Sequence, residues 1–313
     1  MDKIAVLIPC YNEEKTIKGV ITEFQKSLPD ATIYVYDNNS TDDTVAIAKT
    51  AKAIVRSEPM QGKGNVVRRM FRDIDAECYI LVDGDLTYSA KDAVEMTDLV
   101  LNHNIDMVVG DRLSSTYYQE NKRPFHNSGN SLVRFFVNKI FKVNIKDIMT
   151  GYRAMSYEFV KTFPVLTGGF EIETEMSIHA AFRRMSLKNV TISYKDRPEG
   201  SESKLSTFSD GIKVLKTILS LFVAYRPMIF FGIIATILTV ISLALLIPIL
   251  ITFVDTGLVP RFPTLVVSCF ILLIALLSFT AGIILKYALV RDAREFEYKL
   301  TAMATNKRLL CKK

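Results

Sequence analysis

The chain has 313 residues, a formal net charge of +6, a pI of about 9.0 and a mean hydropathy of +0.21. A basic chain with this apolar content is typical of a protein held against an anionic membrane surface, and it lacks the dense Lys/Arg tracts with interleaved aromatic residues that bind nucleic acid. The four cysteines are scattered and the three histidines are not spaced as metal ligands, which indicates neither a disulfide framework nor a zinc site.

The first 112 residues alternate between apolar runs and amphipathic segments. The apolar runs are typical of strands in a sheet that is buried on both faces, and they lie at 4–8, 32–36, 53–56, 79–82 and 106–109. Helices are predicted between them, the first from Glu13 to Leu28 with Asn12 as its N-cap. The N-terminus enters the first strand without the charged and apolar regions of a signal peptide. This alternation predicts a doubly wound, mostly parallel α/β sheet.

Polar loops follow four of the predicted strands, at 9–14, 37–42, 83–87 and 110–112. The carboxyl ends of the strands in an open α/β sheet share one edge, and ligands bind in the crevice there. We therefore expect these four loops to form one cleft.

The loop at 83–87 begins with two carboxylates, Asp83 and Asp85, separated by Gly84. Two like charges at this separation repel each other unless a cation lies between them, and magnesium is usually held by one or two carboxylates together with substrate phosphates. The motif predicts a divalent cation that carries a diphosphate. The structural alternative is a plain acidic turn after a buried strand.

A second motif, Gly62-Lys63-Gly64, opens a helix that is predicted to run to Ile74. A lysine between glycines at a helix N-terminus is suited to hold an anion. The spacing is not that of a Walker P-loop, and no GxGxxG follows the first strand, which argues against a dinucleotide site. Three further acids, Glu171, Glu173 and Glu175, enter a later helix; we expect at least one to face the cleft and the others to be solvated.

Three further segments are basic, and two of them allow two interpretations. Residues 127–143 and 206–225 are amphipathic and predict helices at a membrane surface, although the first could be an ordinary core-facing helix. Residues 196–204 have the composition of a mobile phosphate-binding lid or of a charged linker.

Two segments without any charged residue, 228–254 and 262–285, are long enough to span a bilayer. Basic residues flank the pair on its outer ends, and the short loop holds only Asp255 and Arg261, so the positive-inside rule puts both termini and the catalytic domain in the cytoplasm. A buried core hairpin is the alternative. The predicted regions are a catalytic domain at 1–205, an interfacial helix at 206–226, two transmembrane helices in 227–287 (about 228–254 and 262–286) and a basic tail at 288–313.

These motifs, in their order and spacing, resemble those of the inverting GT-A glycosyltransferases of family two. They are Ile-Pro-Cys-Tyr-Asn-Glu at 8–13, Asp-Asn-Asn-Ser-Thr-Asp at 37–42, Gly-Lys-Gly at 62–64 and Asp-Gly-Asp at 83–85. The later Gly-Asp-Arg, Gly-Tyr-Arg and Arg-Pro…Ser-Lys segments and the two-helix hairpin are similar to the polyprenyl-phosphate glycosyltransferases, the group of dolichyl-phosphate mannose synthases and bactoprenol glucosyltransferases. The resemblance covers essentially the whole chain and implies a GT-A domain.

The resemblance also implies site residues. Asp83 and Asp85 would bind Mg²⁺ or Mn²⁺, and with Arg112 and Arg123 they form the implied catalytic set. The acceptor phosphate would contact Arg112 and Arg123 with Asn127 or Ser128, and Arg134 is a rival. The implied nucleotide-sugar contacts are Pro9, Tyr11, Asn12, Glu13, Asp37, Asn39, Lys63, Gly64, Arg197, Ser203 and Lys204. One departure is visible: Asn38 stands where the family often has an acid, which leaves the nucleobase open.

The predicted reaction is metal-dependent, inverting transfer of a sugar from a nucleotide-diphosphate sugar to polyprenyl phosphate, with a UDP-sugar favoured as donor and a GDP-sugar as the alternative. A phosphate monoester has its second pKa near ~6, so the acceptor oxygen is already anionic and no strong base is required. The predicted partners are the nucleotide sugar, the polyprenyl phosphate, the membrane and a second copy of the chain, without nucleic acid. One alternative is a transferase that acts directly on a glycolipid or polysaccharide, although such enzymes usually carry Gln-x-x-Arg-Trp and this chain has no Trp. The other is a non-catalytic membrane scaffold that binds nucleotide sugars.

Overall fold

The computed structural model describes residues 1–115, 134–135, 137–139, 141–169, 171–195, 219–220 and 222–311. Most of the two predicted interfacial helices and the whole of the basic segment at 196–204 lie outside these residues. The chain divides into two compact units, one comprising Met1–Thr217 with Tyr298–Lys313 and the other Ile218–Glu297. The finer domain boundaries stay a prediction.

A seven-stranded sheet forms the centre of the first unit, with the strand order β3-β2-β1-β4-β6-β5-β7. Its strands are β1 Asp2–Cys10, β2 Ala31–Asp37, β3 Ile54–Ser57, β4 Ala76–Leu81, β5 Met107–Asp111, β6 Arg153–Ser156 and β7 Leu187–Thr191. All pairings are parallel except those of β6, which is antiparallel to both β4 and β5. The predicted mostly parallel α/β sheet is therefore confirmed. The sequence did not predict β6, because its four residues, Arg-Ala-Met-Ser, form no apolar run.

The register of the sheet brings the predicted loops to one edge. Cys10 at the end of β1 pairs with Asp37 at the end of β2, and Leu7 pairs with Leu81 at the end of β4. The interior strands supply the core, since residues 5–8 of β1 and 78–81 of β4 are fully buried. A rigid apolar sheet thus ends in three adjacent polar loops.

Six helices are described in this unit: α1 Ile17–Ser27, α2 Thr44–Thr50, α3 Lys63–Asp73, α4 Asp92–His103, α5 Tyr157–Thr162 and α6 Ile172–Phe182. The predicted apolar stripe of α1 is buried, at Ile17, Val20, Ile21 and Phe24. The predicted N-cap was wrong. Asn12 has φ of +53° and precedes a turn in which Ile17 N donates to Glu13 O, so α1 begins later than expected.

Two long apolar helices follow, α7 Pro227–Thr256 and α8 Phe262–Cys311. Both are long and apolar enough to cross a membrane, and only 11% and 17% of their most apolar windows are buried. Such exposure is unlike the core hairpin considered as the alternative. The second helix does not end near residue 286 but continues to Cys311, so the basic tail is helical.

Small residues at seven-residue intervals line the contact between α7 and α8. Ala235 and Ser242 are buried on α7, and Ser268, Ala275 and Gly282 are buried on α8. Small side chains let helix backbones approach closely in a membrane, where polar groups also join across the contact. Ser242 Oγ donates to the carbonyl oxygen of Ser268 at 2.8 Å, which fixes the register of the two helices.

Lys161 ties α5 to the end of α3. Its ammonium donates to the carbonyl oxygens of Phe71 and Ile74 at 2.7 Å each and lies 2.8 Å from Asp75 Oδ1. We expect Lys161→Met to lower the free energy of unfolding by about 1–3 kcal/mol, because two terminal carbonyls lose their donor. The thermal midpoint of the purified protein measures this, with exposed Lys188→Met as the control. Equal midpoints for the two variants would contradict the assignment.

Candidate active site

The loops after β1 and β2 are joined by hydrogen bonds at the carboxyl edge of the sheet. Asn12 N donates to Ser40 Oγ at 2.9 Å, and Asn12 Oδ1 accepts from Thr41 N at 2.8 Å. Glu13 N donates to Thr44 Oγ1 at 2.8 Å. The left-handed conformation of Asn12, which asparagine tolerates better than most residues, aims both its backbone and its side chain at the second loop.

Besides Asn12 and Glu13, four more of the predicted nucleotide contacts line these two loops. Asp37 ends β2 with 6% exposure, and its carboxylate accepts from Ser40 N at 3.2 Å. Pro9 is partly exposed at the end of β1, and Tyr11 is 38% exposed beyond it. Asn39 lies on the surface. An acid, an apolar ring and an exposed aromatic side chain therefore meet at one edge of the sheet.

Asn38 organises the segment that leads to the glycine-lysine motif. Its Nδ2 donates to the carbonyl oxygens of Glu58 and Met60 at 2.8 and 2.9 Å, and its Oδ1 accepts from Gly62 N at 2.7 Å. The side chain is 4% exposed. A carboxylate has no proton for the two carbonyls, so the amide that departs from the family pattern has a structural reason in this chain.

The lysine of that motif is buried between two carboxylates. Lys63 Nζ lies 2.5 Å from Asp83 Oδ1 and 2.6 Å from Glu173 Oε1. Burial disfavours its charge, but Asp83 and Glu173 outweigh this effect and raise the pKa of the Lys63 ammonium. Burial also raises the pKa of the Glu173 carboxyl, with Lys63 opposing it. The predicted contact of Lys63 with a donor phosphate stays a prediction.

The two glycines beside Lys63 allow a close approach of two backbones. A Cβ on Gly62 would lie 2.2 Å from the carbonyl oxygen of Gly168, and one on Gly64 would lie 2.1 Å from that of Thr167. Gly64 N also donates to Gly168 O at 3.1 Å. The start of α3 is thereby fixed against the loop before α6, which brings Lys63 to Glu173.

The second carboxylate of the acidic motif has a different environment. Asp85 is 4% exposed, and its Oδ1 accepts from the backbone N of Thr87 at 3.2 Å and from its hydroxyl at 2.7 Å. Thr16 Oγ1 donates to the carbonyl oxygen of Gly84 at 2.7 Å and links this loop to the start of α1.

The acidic motif fits a divalent cation that is shared with a substrate. Carboxylate oxygens are the ligands that Mg²⁺ and Mn²⁺ prefer. Among the described residues, no group of three or more His, Cys, Asp or Glu side chains is arranged to hold a metal. Asp83 and Asp85 are two carboxylates, the number that a protein usually contributes where a diphosphate completes the coordination of magnesium.

Arg112 follows β5 and is held by a segment that the sequence did not single out. Its Nε donates to Asp147 Oδ2 at 2.7 Å and its Nη2 to the carbonyl oxygen of Met149 at 3.3 Å. Asp147 is fully buried, whereas the Arg112 side chain is 14% exposed. The guanidinium carbon also lies 6.0 Å from the centre of the Tyr194 ring. The arginine is thus oriented by a buried carboxylate while part of it reaches the surface.

A second ion pair joins the same two segments. Asp111 Oδ2 lies 3.6 Å from Lys146 Nζ, next to the pair between Arg112 and Asp147. Arg134 Nη1 donates to the carbonyl oxygen of Lys146 at 3.3 Å. The two described arginines predicted for the acceptor phosphate therefore both contact residues 146–149.

Arg153 fixes the segment of the chain that lies between these two arginines and the loops after β1, β2 and β4. It is fully buried, and its guanidinium donates to the carbonyl oxygens of Thr150 at 3.1 Å and Ile148 at 2.7 Å. Burial lowers the pKa of Arg153 to about 10, so the guanidinium stays protonated near neutral pH. The sequence singled out this residue only as part of the Gly-Tyr-Arg motif. In the structure, its hydrogen bonds hold the backbone conformation of residues 148–151.

Histidine has no evident place in this site among the described residues. His179 is buried on α6 against the rings of Phe159 and Phe163. Burial, with a contribution from Arg183, lowers the pKa of His179 to about 3, so the imidazole is neutral. His103 is exposed at the end of α4.

The structure brings together most of the predicted site residues that it describes. The loops carrying Asn12, Asp37 and Asp83 share the carboxyl edge, as predicted. Six predicted residues lie outside the described part of the chain: Arg123, Asn127, Ser128, Arg197, Ser203 and Lys204. Glu173 is buried against Lys63, in agreement with the expectation that at least one of the three acids faces the cleft. The expectation that the others are solvated was wrong for Glu175, which is buried and accepts from Leu166 N and Thr167 N. Asp147 had no sequence signal.

We expect Asn38→Asp to lower the free energy of unfolding by at least ~2 kcal/mol, because the carbonyl oxygens of Glu58 and Met60 would face a carboxylate instead of their donor. The adjacent variant Asn39→Asp is a matched control, since that amide is exposed. Thermal midpoints of the two variants measure the difference. A smaller loss for Asn38→Asp than for Asn39→Asp would contradict the role of Asn38.

Curated relatives resemble this chain over different lengths. RfbJ of Shigella flexneri is 57% identical over 109 residues, which cover 35% of this chain and 84% of the relative. Glycosyltransferase AglJ of Haloferax volcanii is 33% identical over 232 residues, 74% of this chain and 76% of the relative. The dolichyl-phosphate hexose transferase of Haloferax volcanii is 28% identical over 217 residues, 69% and 92% of the two chains.

A solved structure has the same fold. Glucosyl-3-phosphoglycerate synthase from Mycobacterium tuberculosis, in complex with uridine diphosphate, superposes with a TM-score of 0.58 at 21% identity and covers 70% of this chain and 80% of its own. The family model "Glycosyl transferase family 2" matches residues 5–163, about half of the chain, which confirms the resemblance found in the motifs. The chain belongs to glycosyl transferase family 2, and it is a glycosyltransferase.

Proposed function

We propose that this glycosyltransferase transfers a sugar, with inversion, from a nucleotide-diphosphate sugar to a polyprenyl phosphate. The products are a polyprenyl-phosphate sugar and a nucleoside diphosphate. The observation that carries the proposal is the combination, in one chain, of a family 2 domain with two long apolar helices. The relatives named dolichyl-phosphate hexose transferase and dolichol-phosphate mannosyltransferase support the acceptor class.

The donor nucleotide occupies the edge formed by the loops after β1, β2 and β4. Asp37 accepts hydrogen bonds from the nucleoside, and the exposed Tyr11 ring covers it. A uridine nucleotide is favoured over a guanosine nucleotide, because a solved family neighbour was crystallised with uridine diphosphate. Arg197, Ser203 and Lys204, which lie outside the described residues, remain the implied residues for the diphosphate.

Asp83 and Asp85 are the residues that hold the divalent ion, Mg²⁺ or Mn²⁺. A family neighbour crystallised with Mn²⁺ and uridine diphosphate supports this assignment. When bound, the ion offsets negative charge on the departing diphosphate. Thr87 orients Asp85 through two hydrogen bonds to Oδ1.

The acceptor phosphate contacts Arg112, together with Arg123, Asn127, Ser128 or Arg134. A guanidinium binds a phosphate through two parallel hydrogen bonds, and Asp147 keeps that of Arg112 in place. The acceptor oxygen is anionic near neutral pH, so the protein has no proton to remove and catalysis lies in orientation and charge. The neutral, buried His179 is consistent with a reaction that needs no general base.

The acceptor explains the apolar helices. A polyprenyl chain stays in the bilayer, so the enzyme has to work at the membrane surface. Basic residues flank the outer ends of the two helices, and the loop between them holds a single arginine. The positive-inside rule therefore places both chain termini in the cytoplasm.

The function is tested with purified full-length protein, a short-chain polyprenyl phosphate and a panel of UDP- and GDP-sugars. We expect one donor class to yield a lipid product heavier by one sugar, detected by mass spectrometry, and transfer to stop with chelator. Asp85→Ala should lower kcat by at least ~10²-fold, because the carboxylate that binds the ion is removed. Release of nucleoside diphosphate by the wild-type protein without formation of the lipid product would contradict the proposal that polyprenyl phosphate is the acceptor.

Gly151 lies against the donor-side carboxylate. A Cβ at this position would be 2.4 Å from Asp83 Oδ2 and 2.9 Å from Lys63 Nζ. We expect Gly151→Ala to fold, since side-chain ends can move, but to lower kcat by about 10²-fold because Asp83 is displaced. Gly168→Ala is the control, as its Cβ meets Asn65 at an ordinary 3.4 Å. Wild-type kcat in Gly151→Ala would show that the position of Asp83 is unimportant.

A further inference from the structure

Two crossed ion pairs join the end of β5 to the segment before β6. Arg112 Nε lies 2.7 Å from Asp147 Oδ2, and Lys146 Nζ lies 3.6 Å from Asp111 Oδ2. Both carboxylates are fully buried, whereas 14% of the Arg112 side chain and 49% of the Lys146 side chain are exposed. Each member of one pair is next in sequence to a member of the other, so the two pairs lie side by side. Each buried acid thus holds one partly exposed cation.

The pair between Asp111 and Lys146 leaves the hydrogen bonds of the ammonium unused. Asp111 Oδ1 accepts from Ser114 N at 3.1 Å, but no hydrogen bond within the described residues reaches the buried Oδ2. The same residues offer Lys146 Nζ no acceptor, since Asp111 lies beyond hydrogen-bond distance. An ammonium carries three donor protons. Asp111 therefore holds the charge of Lys146 in place by Coulomb attraction while its protons stay available to a ligand.

The backbone of Lys146 is fixed from two sides. Its N donates to Asn189 Oδ1 of β7 at 3.1 Å, and its carbonyl oxygen accepts from Arg134 Nη1 at 3.3 Å. The second contact brings another cation to the same place. Lys146 is therefore a half-exposed lysine on a fixed backbone, close to both described arginines that the sequence predicted for the acceptor phosphate.

The segment 146–150 carries an excess of positive charge. Within the described part of the chain, the charged side chains that belong to it or contact it are four cations and two carboxylates, which leave a net charge of +2. They are Arg112, Arg134, Lys146 and Arg153 with Asp111 and Asp147. A phosphate monoester carries about −1.5 to −2 charges near neutral pH. The charge beside this segment is therefore complementary to one phosphate monoester.

We propose that Lys146 binds the phosphate of the acceptor beside Arg112, and that Asp111 is the positioning residue that holds its ammonium there. This inference rests on the proposed transfer to polyprenyl phosphate. A lysine binds phosphate as a point charge with donor protons, and the neighbouring guanidinium supplies the directional contacts. The sequence motifs had indicated only arginines, an asparagine and a serine for this phosphate.

The double variant Lys146→Met/Asp111→Asn tests the contact. Both charges are removed together, because loss of the lysine alone would leave Asp111 buried without its cation. The net charge beside the segment stays at +2, so a change in binding reports the lost contact and not a changed field. We expect the dissociation constant and KM for a short-chain polyprenyl phosphate to rise by at least about tenfold, with a smaller change in kcat.

Two single variants separate a binding role from a structural one. Asp111→Asn keeps the acceptor for Ser114 N and leaves the phosphate as the partner of Lys146. We expect KM for the acceptor to fall by about threefold in this variant. Lys146→Arg keeps the charge, and its KM should stay within about threefold of the wild-type value. An ion pair that served only the fold would make Asp111→Asn as harmful as the double variant.

The measurement is calorimetric titration of the full-length protein with a short-chain polyprenyl phosphate in the absence of donor, beside kcat and KM in the transfer assay. Titrations with the corresponding polyprenol and with uridine and guanosine diphosphates show which group Lys146 contacts. Lys188→Met removes a lysine from an exposed position of β7 and should leave all these constants unchanged.

Weaker binding of the polyprenyl phosphate by the double variant, with unchanged binding of the polyprenol and the nucleoside diphosphates, supports the assignment of Lys146. Wild-type affinity in the double variant, an equal loss for the polyprenol or a nucleoside diphosphate, or no binding of polyprenyl phosphate by the wild type overturns it. The proposed function fails in a different way: the wild type then binds the polyprenyl phosphate but forms no glycosylated lipid with any donor.

Discussion

The buried charge of Lys63 is the constraint on which the donor edge depends. An ammonium that is removed from water is stable only with carboxylates close to it. Asp83 and Glu173 satisfy that requirement from a strand end and from a helix distant in sequence. Bringing the three groups together requires two backbones to approach closely, and Gly62 and Gly64 allow this. One charge thus determines the conformation of three segments.

A second set of contacts connects the donor edge to the predicted acceptor edge. The buried guanidinium of Arg153 donates hydrogen bonds to two carbonyl oxygens of the segment 147–151 and so fixes its backbone. One end of this segment orients Arg112 through Asp147, and its other end, Gly151, lies against the donor-side ion pair. The antiparallel strand β6 begins at Arg153, directly beneath this segment. Because β6 lies between β4 and β5, the same strand supports both the donor edge and the predicted acceptor edge.

The sequence predicted those features that follow from local periodicity. Apolar runs identified five of the seven strands in nearly correct positions, because the interior strands are buried on both faces and consist mainly of apolar residues. The motif loops were assigned to one edge, because parallel strands have their carboxyl ends on the same side. The apolar helices were found from length and charge alone. The expected cap at Asn12 failed, since its side chain contacts the next loop instead of the helix.

What only the tertiary structure decided is the pairing of charges. Glu173 is 110 residues from its lysine, and Asp147 is 35 residues from its arginine, so neither pair leaves a pattern within a turn or a strand. The sequence by itself determined which groups reach the cleft edge: acids after β4, an arginine after β5 and a lysine at the start of α3. The fold decided which of them neutralise one another, because Coulomb energy depends on distance and burial, and both are properties of the packed chain.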